Sequence, residues 1–326
     1  MGKKPKILVV GSFVMDLIVT TSRFPNAGET VIGADFSTAP GGKGANQAIQ
    51  AARLGADVTM VGKVGQDDFG KRLIESAQQS GVRVEHILVA QDAPSAVGNV
   101  QIQSNAQGTE NRIVVVPGAN MKLTAQDVEF LKDTIFQFDI VIMQHEIPTE
   151  VNRAVAKYAK AAGVPVMLNP APSAAVPGDI AACLTYISPN EHEAEDITGI
   201  VPEGEEGISR TIAALREMGV ANTLITLGQN GCAFSDGTRV ITSPSFRCEK
   251  VVDPTAAGDS FIGAFCTAVA AGIGLEDALR FANCTASITV SKMGAQTSLP
   301  VLDEVLALLT ARGFDTAPYE VLKEGN

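Results

Sequence analysis

Short apolar runs alternate along the chain with longer stretches of helical periodicity. Strands are predicted at KILVVGS, VTMVGKVG, DIVIMQ, VPVMLNP, TYISPN and NTLITLG. Helices are predicted at residues 43–54, 68–80 and 149–162, once between TYISPN and NTLITLG, and at about 258–272, 275–291 and 302–310. Near-continuous apolar strands separated by helices are typical of a mostly parallel sheet covered on both faces. The pattern therefore predicts an α/β fold.

Two regions depart from this alternation. Residues 13–40 and 95–117 contain alternating, polar, strand-like segments such as VGNVQIQ and RIVVV, with no helix between the strands. Such segments predict a small antiparallel β piece outside the main sheet, placed as a lid. Since the sequence shows no linker, repeat or low-complexity tract, we expect a single α/β domain over residues 1–326.

Composition narrows the classes of ligand. Hydrophobic residues make up 45% of the 326 residues and charged residues 19%, as is usual for a globular protein. The formal net charge of -11 offers no broad positive field, so neither nucleic acid nor an anionic membrane is an expected partner. An anionic ligand then needs local help from helix ends, from Lys43 or from a divalent metal.

The cysteines and the apolar segments indicate the cellular compartment of the protein. The five cysteines are widely spaced and form no C-x-x-C pair, which fits reduced thiols in a cytosol. The three histidines do not pair with a cysteine at ligand spacing, which argues against structural zinc. The apolar run in MGKKPKILVVGS is too short for a signal peptide, and FIGAFCTAVAAGIGL is shorter than a membrane span. We expect a soluble cytoplasmic protein.

The stretch DPTAAGDSFIGAF, residues 253–265, predicts a turn that leads directly into an apolar helix. Ala256, Ala257 and Gly258 are small enough to let the backbone approach a ligand closely. A helix N-terminus there offers unpaired N–H groups and a partial positive charge to an anion such as a transferring phosphate. Asp259 is then either a base beside that anion or only the N-cap of the helix, and the stretch alone leaves both readings open.

More polar residues follow predicted strands, where open parallel sheets bind their ligands. Asp16 lies close to the end of the first strand, and Glu146 lies just past DIVIMQ. PGGKGANQA, residues 40–48, places Lys43 and Asn46 in a glycine turn suited to a polyhydroxylated ligand. The turn lacks the third glycine of a dinucleotide fingerprint. The alternatives are that Asp16 is an ordinary turn or surface residue and that PGGKGANQA is a plain glycine turn.

Two later stretches point to a nucleotide. Asn190 and Glu193 in PNEHEAE share one helix face, where they either hold a hydrated Mg²⁺ beside phosphates or merely cap the helix. TLGQNG, residues 226–231, is a glycine turn after a strand and suits the underside of a nucleotide. Neither a Walker A motif nor a G-x-S-x-G elbow occurs in the sequence.

Together these stretches resemble the ribokinase branch of the PfkB carbohydrate kinases. The match runs in order over nearly the whole chain, through PNAGET, GGKGANQA, MQHEIP, NPAP, PNEHEAE, ITLGQNG, DPTAAGDSF and KMGAQTSLP. GGKGANQA combined with A-A-G-D is its most specific part. The resemblance implies a ribokinase-like three-layer αβα sandwich with a β lid, and ATP-dependent phosphorylation of the 5-hydroxymethyl group of D-ribose.

The resemblance also implies roles for individual residues. The catalytic set is Asp259 as base with an anion hole from the backbone of Ala256, Ala257, Gly258 and Asp259. The sugar contacts are Asp16, Gly42, Lys43, Asn46, Glu146 and Asp259, with Val14 at a further sugar-facing position. The ATP site comprises Asn190, Thr226, Gly228, Gly231, Gly258 and Asn283, and Glu193 helps to hold Mg²⁺ through water. An activating K⁺ takes oxygens, several from backbone carbonyls, from Asp253, Thr255, Thr289, Lys292, Gly294 and Ser298. The lid covers the sugar and forms a homodimer clasp.

The sequence departs from the family pattern at three of these places. Val14 stands where some ribokinases have an asparagine that contacts the sugar, so the choice between ribose and 2-deoxyribose stays open. Pro254 follows Asp253 where the family usually has a residue with an N–H, which bears on the cation loop. Asn283 stands where some members carry a histidine near the adenine, a mild change.

Two kinds of alternative remain. Within the same fold, the acceptor is 2-deoxyribose, another pentose or a nucleoside, although the few aromatics near Asp16 and Gly42 do not favour a base. In a different class, the protein is a catalytically silent sugar or nucleotide sensor, since the fold alone does not separate the two. The intact Asp259 and Gly258 argue against the sensor.

Overall fold

A computed structural model describes residues 4–105, 108–248 and 250–323. The strands are β1 Lys6–Val10, β2 Val14–Thr21, β3 Asp35–Gly41, β4 Asp57–Gly65, β5 Arg83–Ala90, β6 Val97–Asn105, β7 Gly108–Val116, β8 Ile140–Gln144, β9 Val166–Asn169, β10 Tyr186–Ile187, β11 Asn222–Thr226, β12 Cys232–Ser235 and β13 Val240–Ser243. The helices are α1 Lys43–Arg53, α2 Asp68–Gln79, α3 Thr149–Ala162, α4 Gly178–Ala181, α5 Glu191–Thr198, α6 Gly204–Glu217, α7 Ala257–Ala270, α8 Leu275–Thr289 and α9 Leu302–Ala311.

The larger sheet has the strand order β13-β12-β11-β10-β9-β8-β1-β4-β5 in the described residues. All neighbouring strands from β5 to β11 are parallel, whereas β12 and β13 add an antiparallel edge. The predicted mostly parallel α/β sheet is confirmed. Because the carboxyl ends of the parallel strands share one edge, the loops that follow them meet there.

Helices cover both faces of this sheet, and β1 shows why. Ile7 and Val9 pack into a core with α1, α7, α8 and α9, whereas Leu8 and Val10 pack into the core on the opposite face with α3. Successive strand residues point to opposite faces, so an uninterrupted apolar strand fills two cores at once. The result is the predicted three-layer αβα arrangement.

The smaller sheet has the order β3-β2-β6-β7 and comes from the two regions predicted to lie outside the main sheet. Its outer pairs, β2 with β3 and β6 with β7, are antiparallel as predicted, and its central pair β2 with β6 is parallel. Residues 106 and 107 of the predicted 95–117 segment lie outside the described residues. The same holds for residues 1–3, 249 and 324–326 of the predicted domain.

A buried asparagine holds the chain segment that leads from β1 of the larger sheet to β2 of the smaller sheet. The side chain of Asn120, 1% exposed, accepts a hydrogen bond from the Phe13 N–H at 3.1 Å and donates one to the Phe13 carbonyl at 2.8 Å. Both polar groups of a buried backbone position are thereby satisfied, as burial requires. The chain between β1 and β2 is held in place just beyond the carboxyl end of β1.

The predicted helices agree with the observed ones to within about two residues, with two differences. The short helix α4, Gly178–Ala181, is not predicted from the sequence. Between TYISPN and NTLITLG the sequence predicts one helix, and the structure has two, α5 and α6. Gly199 ends α5 in a left-handed conformation with φ 71°, which favours glycine, and Pro202 follows it. Among the described helices, none is long and apolar enough to cross a membrane.

Candidate active site

Many of the predicted residues converge at the carboxyl edge of the larger sheet. A cavity of about 190 Å³ there is lined by residues from distant parts of the chain. Its predicted members are Lys43, Asn190, Glu193, Thr226, Ala256, Ala257, Gly258 and Asp259. Two larger cavities, of about 440 Å³ each, are lined elsewhere, by residues that the sequence analysis does not single out.

The N-terminus of α7 faces this cavity. Ala256 precedes the helix in a left-handed conformation, with φ 61°, and within the described residues no side chain caps the helix. A Cβ built at Gly258 meets no atom within 4 Å, so open space lies beside this backbone. The Ala257 N–H donates to the Pro254 carbonyl at 3.2 Å, so the N–H groups of Gly258 and Asp259 are the ones that this helix end offers to an anion.

Asp259 is the third residue of α7 and does not cap it, which removes the capping alternative. Its side chain is 7% exposed, with Oδ2 accepting from Asn46 Nδ2 and Oδ1 from Gln47 Nε2, each at 2.9 Å. A buried carboxylate is costly unless it is hydrogen-bonded, and both of these donors come from α1. The GGKGANQA and A-A-G-D motifs thus meet at one carboxylate.

Three glycines of the GGKG turn allow this approach. Gly42 has φ 96°, and a Cβ on it would lie 2.7 Å from the Val14 nitrogen. A Cβ on Gly44 would lie 2.5 Å from the Ser12 nitrogen. Both distances are shorter than real side chains permit, so the start of α1 packs directly against the passage between the two sheets. Gly41, on β3, lies beside Asp16.

Glu146 anchors the same turn from the end of β8. Its Oε2 accepts from the Lys43 N–H at 3.0 Å and from the Ser12 hydroxyl at 2.5 Å. The Lys43 side chain is flanked by carboxylates: burial lowers its pKa, but Asp259, Glu146 and Glu193 together outweigh this and raise it. Lys43 accordingly keeps its positive charge in the cavity.

Asp16 lies on β2 between two glycines of neighbouring strands. A Cβ at Gly98 of β6 would lie 2.3 Å from Asp16 Oδ1, and one at Gly41 would lie 2.8 Å from Oδ2. Burial, and secondarily the charge of Glu146, raises the pKa of Asp16 to about 6. Gly98 thus makes room for this carboxylate, a role that sequence reasoning missed because the pairing of β2 with β6 was not predictable.

Asn190 and Glu193 form a reciprocal cap at the start of α5. The Asn190 side chain accepts from the Glu193 N–H at 2.8 Å, and Glu193 Oε2 accepts from the Asn190 N–H at 2.9 Å. Burial is the main cause of the raised pKa of Glu193, although Lys43 opposes the rise. Capping and cavity lining therefore coexist, because both residues also face the cavity.

Several predicted ATP residues lie away from this cavity. Gly231 has φ 88°, and a Cβ on it would lie 2.1 Å from the Ser243 carbonyl oxygen, so it serves a tight turn beside Gly228. Asn283 donates from its amide to the Ser243 carbonyl at 3.2 Å and to the Ser243 hydroxyl at 3.1 Å. The structure brings Thr226 to the cavity, and it does not bring these three residues into its lining.

Apart from Thr289, which is the last residue of α8, the predicted cation residues lie on two loops joined by Asp253. Its carboxylate accepts from the Thr255 N–H and the Gly294 N–H, both at 2.9 Å. Pro254 does not prevent these contacts, because neither of them uses an N–H of residue 254. The Lys292 side chain instead pairs with Glu304 at 2.6 Å, so only its backbone remains for a cation. The other two members, Thr289 and Ser298, are fully buried.

Comparison with known proteins identifies the relatives of this chain. A family model described as pfkB family carbohydrate kinase matches residues 4–302. The ribokinase of Bacillus subtilis is 42% identical over 304 residues, 93% of this chain and 99% of its own length. The ribokinase of Lactococcus lactis is 37% identical over 305 residues, 93% of this chain and 97% of its own length. The structure of Arabidopsis thaliana ribokinase complexed with ribose and ATP matches with a TM-score of 0.87 at 36% identity, covering 94% of this chain and 99% of that one.

The perturbed Asp16 predicts a pH-dependent effect on stability. A carboxyl whose pKa rises on folding is favourable only while protonated, so its contribution is lost as the pH rises from about 4 through about 6. We expect Asp16→Asn to increase the free energy of unfolding by about 2 kcal/mol more at pH 8 than at pH 4. Urea unfolding at a series of pH values measures the difference.

Asp35→Asn is the matched control, because Asp35 is an exposed carboxylate in the same small sheet. Its variant should track the wild type at every pH. If the difference in free energy of unfolding between Asp16→Asn and the wild type does not change with pH, that result contradicts the raised pKa of Asp16.

Proposed function

The chain belongs to the pfkB family of carbohydrate kinases, and we propose that it transfers the γ-phosphoryl group of ATP to the 5-hydroxyl of D-ribose. The observation that carries the proposal is the Asp259 carboxylate, held by two amides at the uncapped N-terminus of α7. The relatives support the choice of acceptor and donor, since a ribokinase 36% identical to this chain is known in complex with ribose and ATP.

The reaction follows from this geometry. Asp259 accepts the proton of the sugar 5-hydroxyl while that oxygen forms its bond to the γ-phosphorus and the bond from phosphorus to the β-phosphate oxygen breaks. The N–H groups at the start of α7 donate to the phosphoryl oxygens, whose charge is also compensated by Lys43. The products are ADP and ribose 5-phosphate. Phosphoryl transfer needs mainly positioning and charge stabilisation, and these groups supply both.

We assign the sugar to the space between the two sheets. Polar groups surround the start of α1, where Gly42 lets the backbone come close. They come from Lys43 and Asn46 in the first turn of α1, from Asp16 on β2 and from Glu146 after β8. Val14, 4% exposed, is apolar, so it offers no side-chain hydrogen bond to a sugar hydroxyl. Ribose therefore relies on the remaining polar groups for its recognition.

The donor nucleotide is assigned to the cavity beside α7, with Asn190 and Thr226 on its far wall. Glu193 fits a hydrated Mg²⁺, because only Oε2 of its carboxylate is engaged in the cap and Mg²⁺ takes few protein ligands. When bound, the ion supplies positive charge next to the phosphates. The neighbouring turns and strands would surround the adenine of ATP, and they are shaped by Gly228, Gly231 and Asn283.

The loops joined by Asp253 fit an activating K⁺. Carboxylate, hydroxyl and carbonyl oxygens are the donors that a hard cation prefers, and Asp253, Thr255, Thr289, Lys292, Gly294 and Ser298 offer that chemistry, the lysine through its backbone. The loop that contains Asp253 runs directly into the start of α7. A cation there would hold the anion hole in shape.

We further propose that the smaller sheet is a lid that also joins two copies of the chain. Its edge strand β7 exposes four apolar residues in succession, Ile113, Val114, Val115 and Val116, each between 47% and 64% exposed. Consecutive residues point to opposite faces, so both sides of this edge lack cover. Contiguous exposed apolar surface of this kind marks an interaction site, and a second lid is its natural partner.

We also propose that residues 1–326 form one domain and that it acts in the cytoplasm. All five cysteines are free in the structure, as expected in a reducing compartment.

Replacement of the base tests the chemistry. Asp259→Asn keeps the size of the side chain but removes the proton acceptor, so kcat should fall about 1,000-fold while ATP binding is retained. Steady-state kinetics and calorimetric titration with ATP measure the two quantities. Asp303→Asn, which alters an exposed acid in the first turn of α9, is the control and should keep normal turnover. Normal turnover in Asp259→Asn would exclude its role as the base.

A panel of acceptors tests the substrate. ATP consumption is measured with D-ribose, 2-deoxyribose, other pentoses, fructose and adenosine, with Mg²⁺ or EDTA and with K⁺ or Na⁺. We expect ribose to give the highest kcat/KM, EDTA to abolish turnover and Na⁺ to lower it. Preference for 2-deoxyribose or adenosine would support kinase activity but show that D-ribose is not the preferred acceptor. Binding of ATP without turnover of any acceptor would favour the sensor.

The oligomeric state of the protein tests the proposed lid interface. Val114 pairs with Asn99, one position away from the Gly98 that lies beside Asp16, so its side chain points away from the sugar face. Light scattering coupled to gel filtration should show a dimer for the wild type and monomers for Val114→Lys. Val240→Lys, at an exposed valine on the edge of the larger sheet, should stay dimeric. A monomeric wild type would overturn the clasp.

A further inference from the structure

Behind Asp259, two buried glutamines extend the contacts of the base away from the cavity. Gln47 and Gln144 are both 0% exposed, and neither lines the cavity. Gln144 Nε2 donates to Gln47 Oε1 at 2.7 Å, and Gln47 Nε2 donates to Asp259 Oδ1 at 2.9 Å. The three side chains form a linear chain of hydrogen bonds from the end of β8 through α1 to α7.

The charge of Asp259 determines the direction of this chain. An amide has one donor end and one acceptor end, so reversing Gln47 would place its oxygen against the Asp259 carboxylate. With Gln47 in the observed orientation, its oxygen requires a donor, and the Gln144 amide nitrogen fills that place. Reversing Gln144 alone would bring two carbonyl oxygens together. Only the observed arrangement avoids a contact between two oxygens along the chain.

The neighbours of the two glutamines hold them in place. Asn169 donates to the Ser188 carbonyl at 3.0 Å, which turns its Oδ1 toward Gln47 Nε2 at 3.2 Å. On the other side, a Cβ at Gly11 would lie 2.1 Å from Gln144 Oε1. This oxygen has no hydrogen-bond partner among the described residues, although it is buried. Gln144 thus leaves one polar atom unsatisfied, and that arrangement has a cost of its own.

We propose that Gln47 and Gln144 act as a positioning relay for the base, an inference that rests on the proposed function. Gln47 holds the Asp259 carboxylate in its orientation, and Gln144 acts only through Gln47 by fixing which end of that amide faces Asp259. Neither residue is among those assigned above to the sugar or the nucleotide. Their loss should therefore lower kcat and leave the KM values for sugar and ATP nearly unchanged.

The variants are Gln47→Met, Gln144→Met and the double variant, since methionine is close to glutamine in length and carries no amide. We expect kcat to fall about 10- to 100-fold in Gln47→Met and by less in Gln144→Met, with each KM within about threefold of the wild type. Because Gln144 acts through Gln47, the double variant should be no slower than Gln47→Met alone.

Gln50→Met is the matched control. Gln50 is also fully buried on α1, and its Nε2 donates to the Pro300 carbonyl at 2.9 Å, away from Asp259. It loses the same kind of buried amide, so its thermal unfolding should resemble that of the relay variants while its kcat stays within about twofold of the wild type.

The outcomes separate the relay from the proposed function. If the wild type phosphorylates no acceptor, the proposed function fails and the relay fails with it. If the wild type is active and Gln47→Met keeps normal kcat, only the relay is overturned. Should Gln47→Met not fold, Gln144→Met decides alone, and a normal kcat there overturns the relay. Effects of the two single variants that multiply in the double variant also overturn it.

Discussion

The hydrogen bonds that α1 donates to Asp259 are the constraint on which the rest of the site depends. They join residues more than 200 positions apart in the chain, Asn46 and Gln47 on one side and Asp259 on the other. A carboxylate that is 7% exposed is tolerated only with such partners, so α1 and α7 must dock closely. Gly263 of α7 shows how closely, since a Cβ there would lie 2.9 Å from the Gln47 carbonyl oxygen. The same docking presents the open end of α7 to the cavity.

Local charge replaces the global field that this acidic protein lacks. The chain carries a formal net charge of -11, yet its cavity holds Lys43 and the positive end of a helix. The carboxylates around Lys43 keep it protonated despite its burial, and they also repel any anion that does not reach the helix end and the lysine together. A cavity with local positive charge is thus compatible with an acidic protein surface.

Much of the fold followed from the sequence, and the reasons for the remainder are physical. Apolar strands such as KILVVGS are long, uninterrupted and flanked by helices, so they predicted the parallel sheet. Pairing between strands depends on contacts far apart in sequence, so the parallel alignment of β2 with β6, and with it the role of Gly98, was beyond a linear pattern. The motifs indicated Asp259 and Lys43 because small residues and charges stand out at helix starts. Gln144 did not stand out, because a polar residue ending an apolar strand has no local signature.

Three unfavourable features of the structure lie at or near this edge of the sheet. Ala256 adopts a left-handed conformation without being glycine, Asp16 has a raised pKa, and Gln144 buries an unpartnered oxygen. Each of the three departs from what stability alone would select, with left-handed strain costing about 1–3 kcal/mol. The cores on either side of the sheet show uninterrupted apolar packing and can sustain such costs. Under the proposed function, features of this kind beside a cavity lined by a carboxylate, a lysine and a helix end are best understood as preorganisation of the site. Relaxing any one of these features would stabilise the empty protein while moving a group that the reaction needs in place.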